Sequence, residues 1–241
     1  MLNSKKSNIL FIFIQILSLT IMVMCVLGVF ITKDDDRQAR YFFNFFTILW
    51  LFLVTFIPRI LKKKIKLAVP DPILVIFLVF CICHFLLGEA GHFYLYVPHW
   101  DTMLHLIGGA VTAILGFCLI GLFNDIQKID VKLSPFFLAL FAICFTITVG
   151  VVWEIFEFAS DVITGSNMQR YMDSVTGEVF VGIAALKDTM KDLILESISA
   201  VVVGMIYIFN TKFRDSIDNF KMKRIRDEEN KEVNKTVQIE E

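Results

Sequence analysis

The sequence predicts an all-α protein, a polytopic transmembrane helical bundle of about six spans, and three observations predict it. Of the 241 residues, 56% are apolar and only 20% charged, with a mean hydropathy of +0.69. The apolar residues gather into runs of about 15 to 25, the length that a hydrocarbon slab of roughly 30 Å demands of a helix. The basic residues alternate between the ends of these runs in the way a membrane imposes.

The runs fall at about 8–32, 41–61, 69–88, 102–123, 135–158 and 189–209, divided by charges or by Pro and Gly. The first follows Lys5 and Lys6 but is too long for the apolar region of a signal peptide and lacks a small-x-small cleavage pattern, so it is expected to remain as a helix. The third is the shortest. Its apolar stretch from Ile73 to Leu87 rises only about 22 Å at 1.5 Å per residue, so either residues from Leu67 onward join it or it is re-entrant. The chain accordingly divides into residues 1–66 with two spans, a membrane core over 67–211, and a charged cytoplasmic tail over 212–241. The tail begins with Phe213, Ile217 and Phe220 at helical spacing beside Lys and Arg, as in a helix lying on the inner leaflet, and its end reads as disordered.

Orientation follows from Lys and Arg. With both termini in the cytoplasm, only Lys33, Arg37, Arg40, Arg170, Lys187 and Lys191 of the 23 basic residues lie outside, while Arg59, Lys62, Lys63, Lys64, Lys66, Lys128, Lys132 and the tail are inside. Thirteen of the 24 carboxylates fall on the outer side. The net charge of −1 therefore hides a polarised molecule whose acidic outer face favours metal cations and amines. Membrane lipids are the expected partners, and nucleic acid is not. A cysteine placed at Asp173 in a background lacking the native five is expected to react with an impermeant maleimide in intact cells, and one at Lys63 is not. The reverse pattern would invert the map.

Cys25, Cys81, Cys83, Cys118 and Cys144 all lie within expected spans, where thiols act as small apolar packers, and no spacing suggests a disulfide framework or a zinc ribbon. Nor is there a Walker loop, an H-E-x-x-H, a G-x-S-x-G or a Rossmann glycine pattern.

Ionisable groups inside a membrane are costly, so the acids and His at the outer helix ends are the candidates for function. Asp101 and His105 are four apart at the start of the fourth span, Glu154 and Glu157 are three apart near the end of the fifth, and Asp188, Asp192 and Glu196 form an i, i+4, i+8 stripe entering the sixth. Three helices thus bring acid or imidazole to one depth. Gly109, Thr112 and Gly116 continue the His105 face and permit a close helix approach that turns the imidazole inward. Each group alone is also compatible with a solvated rim or a bonded core histidine. Glu196, two turns in, must pair, with Lys191 or His105, or be protonated. Together Asp101, His105, Glu154, Glu157, Asp188 and Asp192 are competent ligands for a divalent metal of unspecified identity.

The segment 162–187 exceeds the usual length of a structureless connection, and a hairpin or short interfacial helix covering the acids is expected, with Arg170 paired to an anionic head group or Asp173. The other outer segment, His84 to Asp101, carries Tyr94, Tyr96 and Trp100 as interface aromatics, and His84 and Tyr96 are further polar candidates for the site.

The order of these motifs, His84, Tyr94-x-Tyr96-x-Pro98, Asp101-x-x-x-His105-x-x-x-Gly109, Glu154-x-x-Glu157 and Asp188-Thr189-x-x-Asp192, resembles the YjdF-like family of uncharacterised bacterial multi-pass membrane proteins over about residues 70–205. The start of the last helix is also remotely similar to VanZ-like proteins. Two positions depart from the YjdF-like pattern: Thr102 stands where an aromatic or Arg commonly follows the first Asp, and Val181-Gly182-Ile183 does not match a Gly-Thr-Gln-Gly-Asp-like stretch. The resemblance implies the fold, the position of the polar site and a bacterial cytoplasmic membrane, but no reaction. From the residues, three functions stay open: a metal-dependent site acting on a lipid or envelope molecule, a proton- or cation-coupled transporter, and a non-catalytic envelope or resistance factor.

Overall fold

The computed structural model describes residues 5–65, 67–68, 71–127, 133–219 and 223–224. Six of its helices are long and apolar enough to cross a membrane: Lys6–Ile31, Asp35–Lys64, Asp71–Ala90, Trp100–Ile120, Pro135–Thr164 and Ile183–Phe209. The protein is an all-α polytopic membrane protein. Lys66, Lys128, Lys132, Phe220 and the charged end of the tail from residue 225 lie outside the described residues. The described residues form two compact units, the first of residues 5–94 with 121–127 and 223–224, the second of residues 95–120 and 133–219.

In the first unit α1 (Lys5–Ile31) packs along α2 (Asp35–Val54), α3 (Ile57–Ile65) follows after a break, and α4 (Asp71–Cys81) continues into a π-helical stretch, Ile82–Ala90. Asp34 caps α2 by accepting from the amides of Asp36 and Arg37, and Asp35 and Asp36 add negative charge at that end. At the break, Thr55 Oγ1 donates to the α2 carbonyls of Leu51 or Phe52 and accepts from Gln15 Nε2 at 2.7 Å, which ties α1 to the kink. Phe11, Ile14, Ile48, Leu51, Leu74, Leu78 and Cys81 form the core of this unit. The third span, Asp71–Ala90, has 20 residues, enough to cross, so the re-entrant alternative is not needed to account for its length. Leu67–Ala68 pairs antiparallel with Lys223–Arg224, a two-residue ladder.

The short helix α5 (Phe93–Tyr96) is followed in the second unit by α6 (Trp100–Gln127), α7 (Pro135–Thr164), α8 (Ile183–Phe209) and α9 (Thr211–Asn219). Ser134 caps α7 at Phe137 N, with Pro135 fitting the first helical position, and Gly165 closes it in the left-handed conformation at φ 68°. Both α7 and α8 extend about one to two turns beyond the apolar runs, where Asp161 takes hydrogen bonds from the returning chain and Asp188 pairs with Lys191. The connection shrinks to the segment between Gly165 and Gly182.

Small residues let these helices approach. A Cβ on Gly109 of α6 would lie 2.8 Å from the carbonyl oxygen of Glu196 on α8, and one on Gly116 would lie 3.1 Å from Ala142 Cα on α7. Ala113, Ala139, Ala142 and Ala200 fill the core between, and Phe117 stacks on Tyr207 with centroids 4.0 Å apart. The apolar face expected to rest on lipid in α9 is turned to this core instead, for Ile217 is buried and Phe213 packs beside it.

Candidate functional site

The second unit carries a buried polar cluster near the start of α6, the end of α7 and the start of α8. Asp192 is 2% exposed, Glu154 6%, Glu157 7%, Asp101 8% and His105 9%. Such burial is affordable only where charges pair or hydrogen bonds replace water.

His105 is its centre. Its Nδ1 lies 3.0 Å from Glu196 Oε1, and its Nε2 faces Asp101 Oδ1 at 3.4 Å and Asp192 Oδ2 at 3.7 Å. Of the two pairings expected for Glu196, His105 is the one made. An ionised carboxylate only accepts, so Nδ1 bears the hydrogen in that bond. A bare Nε2 lone pair pointing at two carboxylates would be repulsive. A proton or a metal ion must therefore stand between Nε2 and the aspartates. Gly150 of α7 makes the pocket for Glu196, since any Cβ there would overlap the Glu196 carboxylate.

Each aspartate turns its other oxygen to Lys191. The ammonium sits 2.9 Å from Asp101 Oδ2, 2.9 Å from Asp188 Oδ1 and 3.3 Å from Asp192 Oδ1. Arg170 adds longer contacts, 3.8 Å from Nε to Asp188 Oδ2 and 4.0 Å from its terminal nitrogen to Asp101 Oδ1. Arg170 thus pairs with Asp188 and Asp101, where the sequence suggests an anionic head group or Asp173.

The chain reversal after α7 places Arg170. Asp161 accepts from Ser166 Oγ and from the amides of Met168 and Gln169, which folds the segment back over the helix end. Asn167 brackets Met172, donating to its carbonyl and accepting from its amide, and Arg170 between them adopts φ 48°. A β-hairpin follows, with Met172 paired to Val179 and the turn closed by Asp173 and Gly177. The expected hairpin is present, while the contacts to the acids come from Ser166 to Arg170 before it. Asp173 Oδ1 accepts from Thr176 and Val175 amides, and these bonds hold its carboxyl below the usual aspartate range. A depressed folded value stabilises the turn above the ordinary aspartate pKa and is lost as pH falls through the folded one. Protection of the Val175 and Thr176 amides, corrected for intrinsic exchange, should fall on acidification below 3.8, and Asp173→Asn should flatten that dependence.

The other sequence candidates separate by their partners. Glu154 is bonded by Gln169 Nε2 at 3.3 Å, and the same Gln169 amide reaches Thr189 Oγ1 at 3.1 Å. Glu157 Oε1 accepts from Trp153 Nε1 at 2.8 Å. Among the described residues, the group able to share one ion is smaller than the six ligands expected: Asp101, His105 and Asp192 offer one ligand atom each within 4.8 Å of one another. Asp188, paired with Lys191 and Arg170, and Glu154 and Glu157, hydrogen-bonded to Gln169 and Trp153, stand outside it. His84 is buried in the first unit, where its Nδ1 meets the Tyr94 hydroxyl on the π-helical stretch, with Gly88 making room for the Tyr94 ring. Tyr96 is 74% exposed. Gln169, Trp153 and Gly150 join the site without a place in the sequence motifs, and Thr189 enters them only within Asp188-Thr189-x-x-Asp192. Gly150, a lone glycine one turn before Glu154 in an apolar run, was the available signal.

A family described as "Predicted membrane protein (DUF2238)" matches residues 13–212 of the chain. The chain belongs to this family. The match agrees with the resemblance to YjdF-like proteins and covers every residue of the cluster, while nothing in it supports the remoter likeness to VanZ-like proteins. Neither the curated proteins nor the solved structures yield a match.

Proposed function

We propose that Asp101, His105 and Asp192 bind a divalent metal ion at the outer face of a bacterial cytoplasmic membrane, in a site that acts on a lipid or envelope molecule. The observation that carries this reading is the two-sided use of His105. A metal-binding imidazole characteristically donates its far N–H to a carboxylate, which fixes the ring and raises the basicity of the ligating nitrogen. Glu196 stands in that position, and Nε2 looks into the gap between two aspartates. A divalent ion holding N and O ligands at roughly 2.0–2.2 Å needs them within about 4.4 Å of one another, and His105 Nε2 lies 3.4 and 3.7 Å from the two carboxylate oxygens. Lys191 does not compete for the gap, since it takes the opposite oxygens, Asp101 Oδ2 and Asp192 Oδ1.

A bound ion would polarise an ester or phosphoryl oxygen and acidify a water. The chain itself contributes Glu154 and Glu157 as proton acceptors, Gln169 and Thr189 to orient Glu154, and the segment from Ser166 to Arg170 as a partial cover.

A second reading is favoured by Lys191, a built-in cation already shared by three carboxylates. In a proton- or cation-coupled transporter this ammonium and a protonated His105 would occupy the cluster between transport events. A third, a non-catalytic envelope factor, requires neither. Purified protein is expected to retain near-stoichiometric divalent metal after gentle washing, His105→Ala and Asp192→Asn to lose it, and Asp35→Asn, exposed in the first unit, to keep it. If the protein carries none and neither Mg²⁺, Mn²⁺, Zn²⁺ nor Ca²⁺ raises its melting temperature, the metal reading falls. Substrate flux in sealed vesicles under a pH gradient would then establish the transporter, and lipid turnover by the metal-loaded protein the enzyme.

A further inference from the structure

The cluster is acidic inside and cationic at its opening. The side chains of Asp192, Asp101 and Asp188 are 3%, 12% and 15% exposed, whereas those of Lys191 and Arg170 are 34% and 33% exposed. A molecule arriving from solvent or from the headgroup layer therefore meets an ammonium and a guanidinium before any carboxylate. We propose that Arg170 and Lys191 form a clamp for the phosphate group of a ligand whose remaining oxygen binds the metal held by Asp101, His105 and Asp192. This rests on the metal reading and names the class of molecule that the site takes.

Charge balance makes the metal necessary. Asp101, Asp188, Asp192 and Glu196 set against Lys191, Arg170 and a protonated His105 leave one negative charge, and a phosphate would be repelled. A divalent ion replacing the His105 proton would bring these seven groups to neutrality, with Glu154 and Glu157 outside the count, and Lys191 and Arg170 remain the more exposed charges. The geometry permits all three cations at once. Asp101 Oδ1 and Asp192 Oδ2 on the His105 side would hold the ion, Lys191 bridges Asp101 Oδ2 and Asp192 Oδ1 on the other, and Arg170 stands 4.0 Å from Asp101 Oδ1.

Arg170 has a second peculiarity. It stands at φ 48°, in the left-handed region that non-glycine residues seldom adopt, and Asn167 holds it there through the carbonyl that accepts the Arg170 amide and through both bonds to Met172. Strain of this kind persists where the surroundings over-determine it, commonly at ligand clamps. A planar guanidinium is also the group best shaped to take two phosphate oxygens together, while Lys191 serves as a point charge.

The test uses the full chain in phosphatidylcholine nanodiscs loaded with Mn²⁺. Inorganic phosphate is titrated into one sample, and phosphatidic acid is built into the disc of another. Melting temperature and the Mn²⁺ electron spin resonance spectrum are read in each. The clamp predicts a stabilising shift and a spectral change with phosphatidic acid, inorganic phosphate or both, and which of them responds identifies the lipid headgroup or the free ion as the source. Arg170→Gln should weaken that response about tenfold or more while Mn²⁺ affinity is kept, and Arg170→Lys should restore part of it. If Mn²⁺ binds but neither probe changes either signal, or if Arg170→Gln responds as the unmutated protein does, the clamp is overturned and the metal site stands. If Mn²⁺ does not bind at all, the metal reading fails and the clamp with it.

Discussion

Glu196→Gln is expected to lower divalent-metal affinity about 10- to 100-fold, the usual effect of removing the partner of a metal-bound imidazole. The substitution keeps the size of the side chain and leaves an oxygen to accept from His105 Nδ1, so the fold survives. What is lost is the negative charge that fixes the ring and pushes electron density toward Nε2. Glu196→Ala should go further, because it also leaves the space beside Gly150 unfilled. If His105 is instead an imidazolium in a metal-free cluster, Glu196→Gln has no metal affinity to change, and its effect appears as altered thermal stability with pH. Calorimetric titration with Mn²⁺ beside a melting series separates the two.

Gly109→Leu is expected to be the most destabilising single change in the second unit. The first atom of the new side chain would lie 2.8 Å from the Glu196 carbonyl and 2.9 Å from its Cα, both backbone atoms of a packed helix, so α6 and α8 must separate. Overpacking of this kind costs about 1–3 kcal/mol or more. It would also draw His105 away from Glu196 and Asp192 and cut the bond from Ser199 Oγ to the Leu106 carbonyl, 2.7 Å long, that ties the two helices one turn further on. Gly109→Ala should produce a smaller fall in melting temperature with partial metal loss. A thermally silent Gly109→Leu would mean that the two helices are not in contact there.

Much of this arrangement is legible in the sequence, for physical reasons. Bilayer thickness sets span length, so six apolar runs give six helices, and Gly109 on the His105 face announces a close helix contact. The helix ends were less legible. Hydropathy stops near residue 158 in α7, but the helix continues because Asp161 is consumed by the returning chain rather than by water. The same holds at the start of α8, where Asp188 pairs with Lys191 one turn on. The grouping of acids on three helices could be read from spacing, whereas their division into ligands and neighbours could not. That division depends on which oxygen each carboxylate presents, and it is decided largely by partners distant in sequence: Gln169 for Glu154, Lys191 for Asp101 and His105 for Glu196. The α9 face illustrates the same limit, since an amphipathic pattern shows that one side is buried without saying whether lipid or protein covers it.

If a metal ion binds between His105 Nε2 and the carboxylates of Asp101 and Asp192, a coordinated imidazole nitrogen must couple to its electron spin. Pulsed electron spin resonance of the Mn²⁺-loaded protein reads that coupling. It should be present in the unmutated protein, vanish in His105→Ala and persist in His84→Ala. Bound Mn²⁺ without nitrogen coupling, or a coupling that survives His105→Ala, would contradict this placement of the ion.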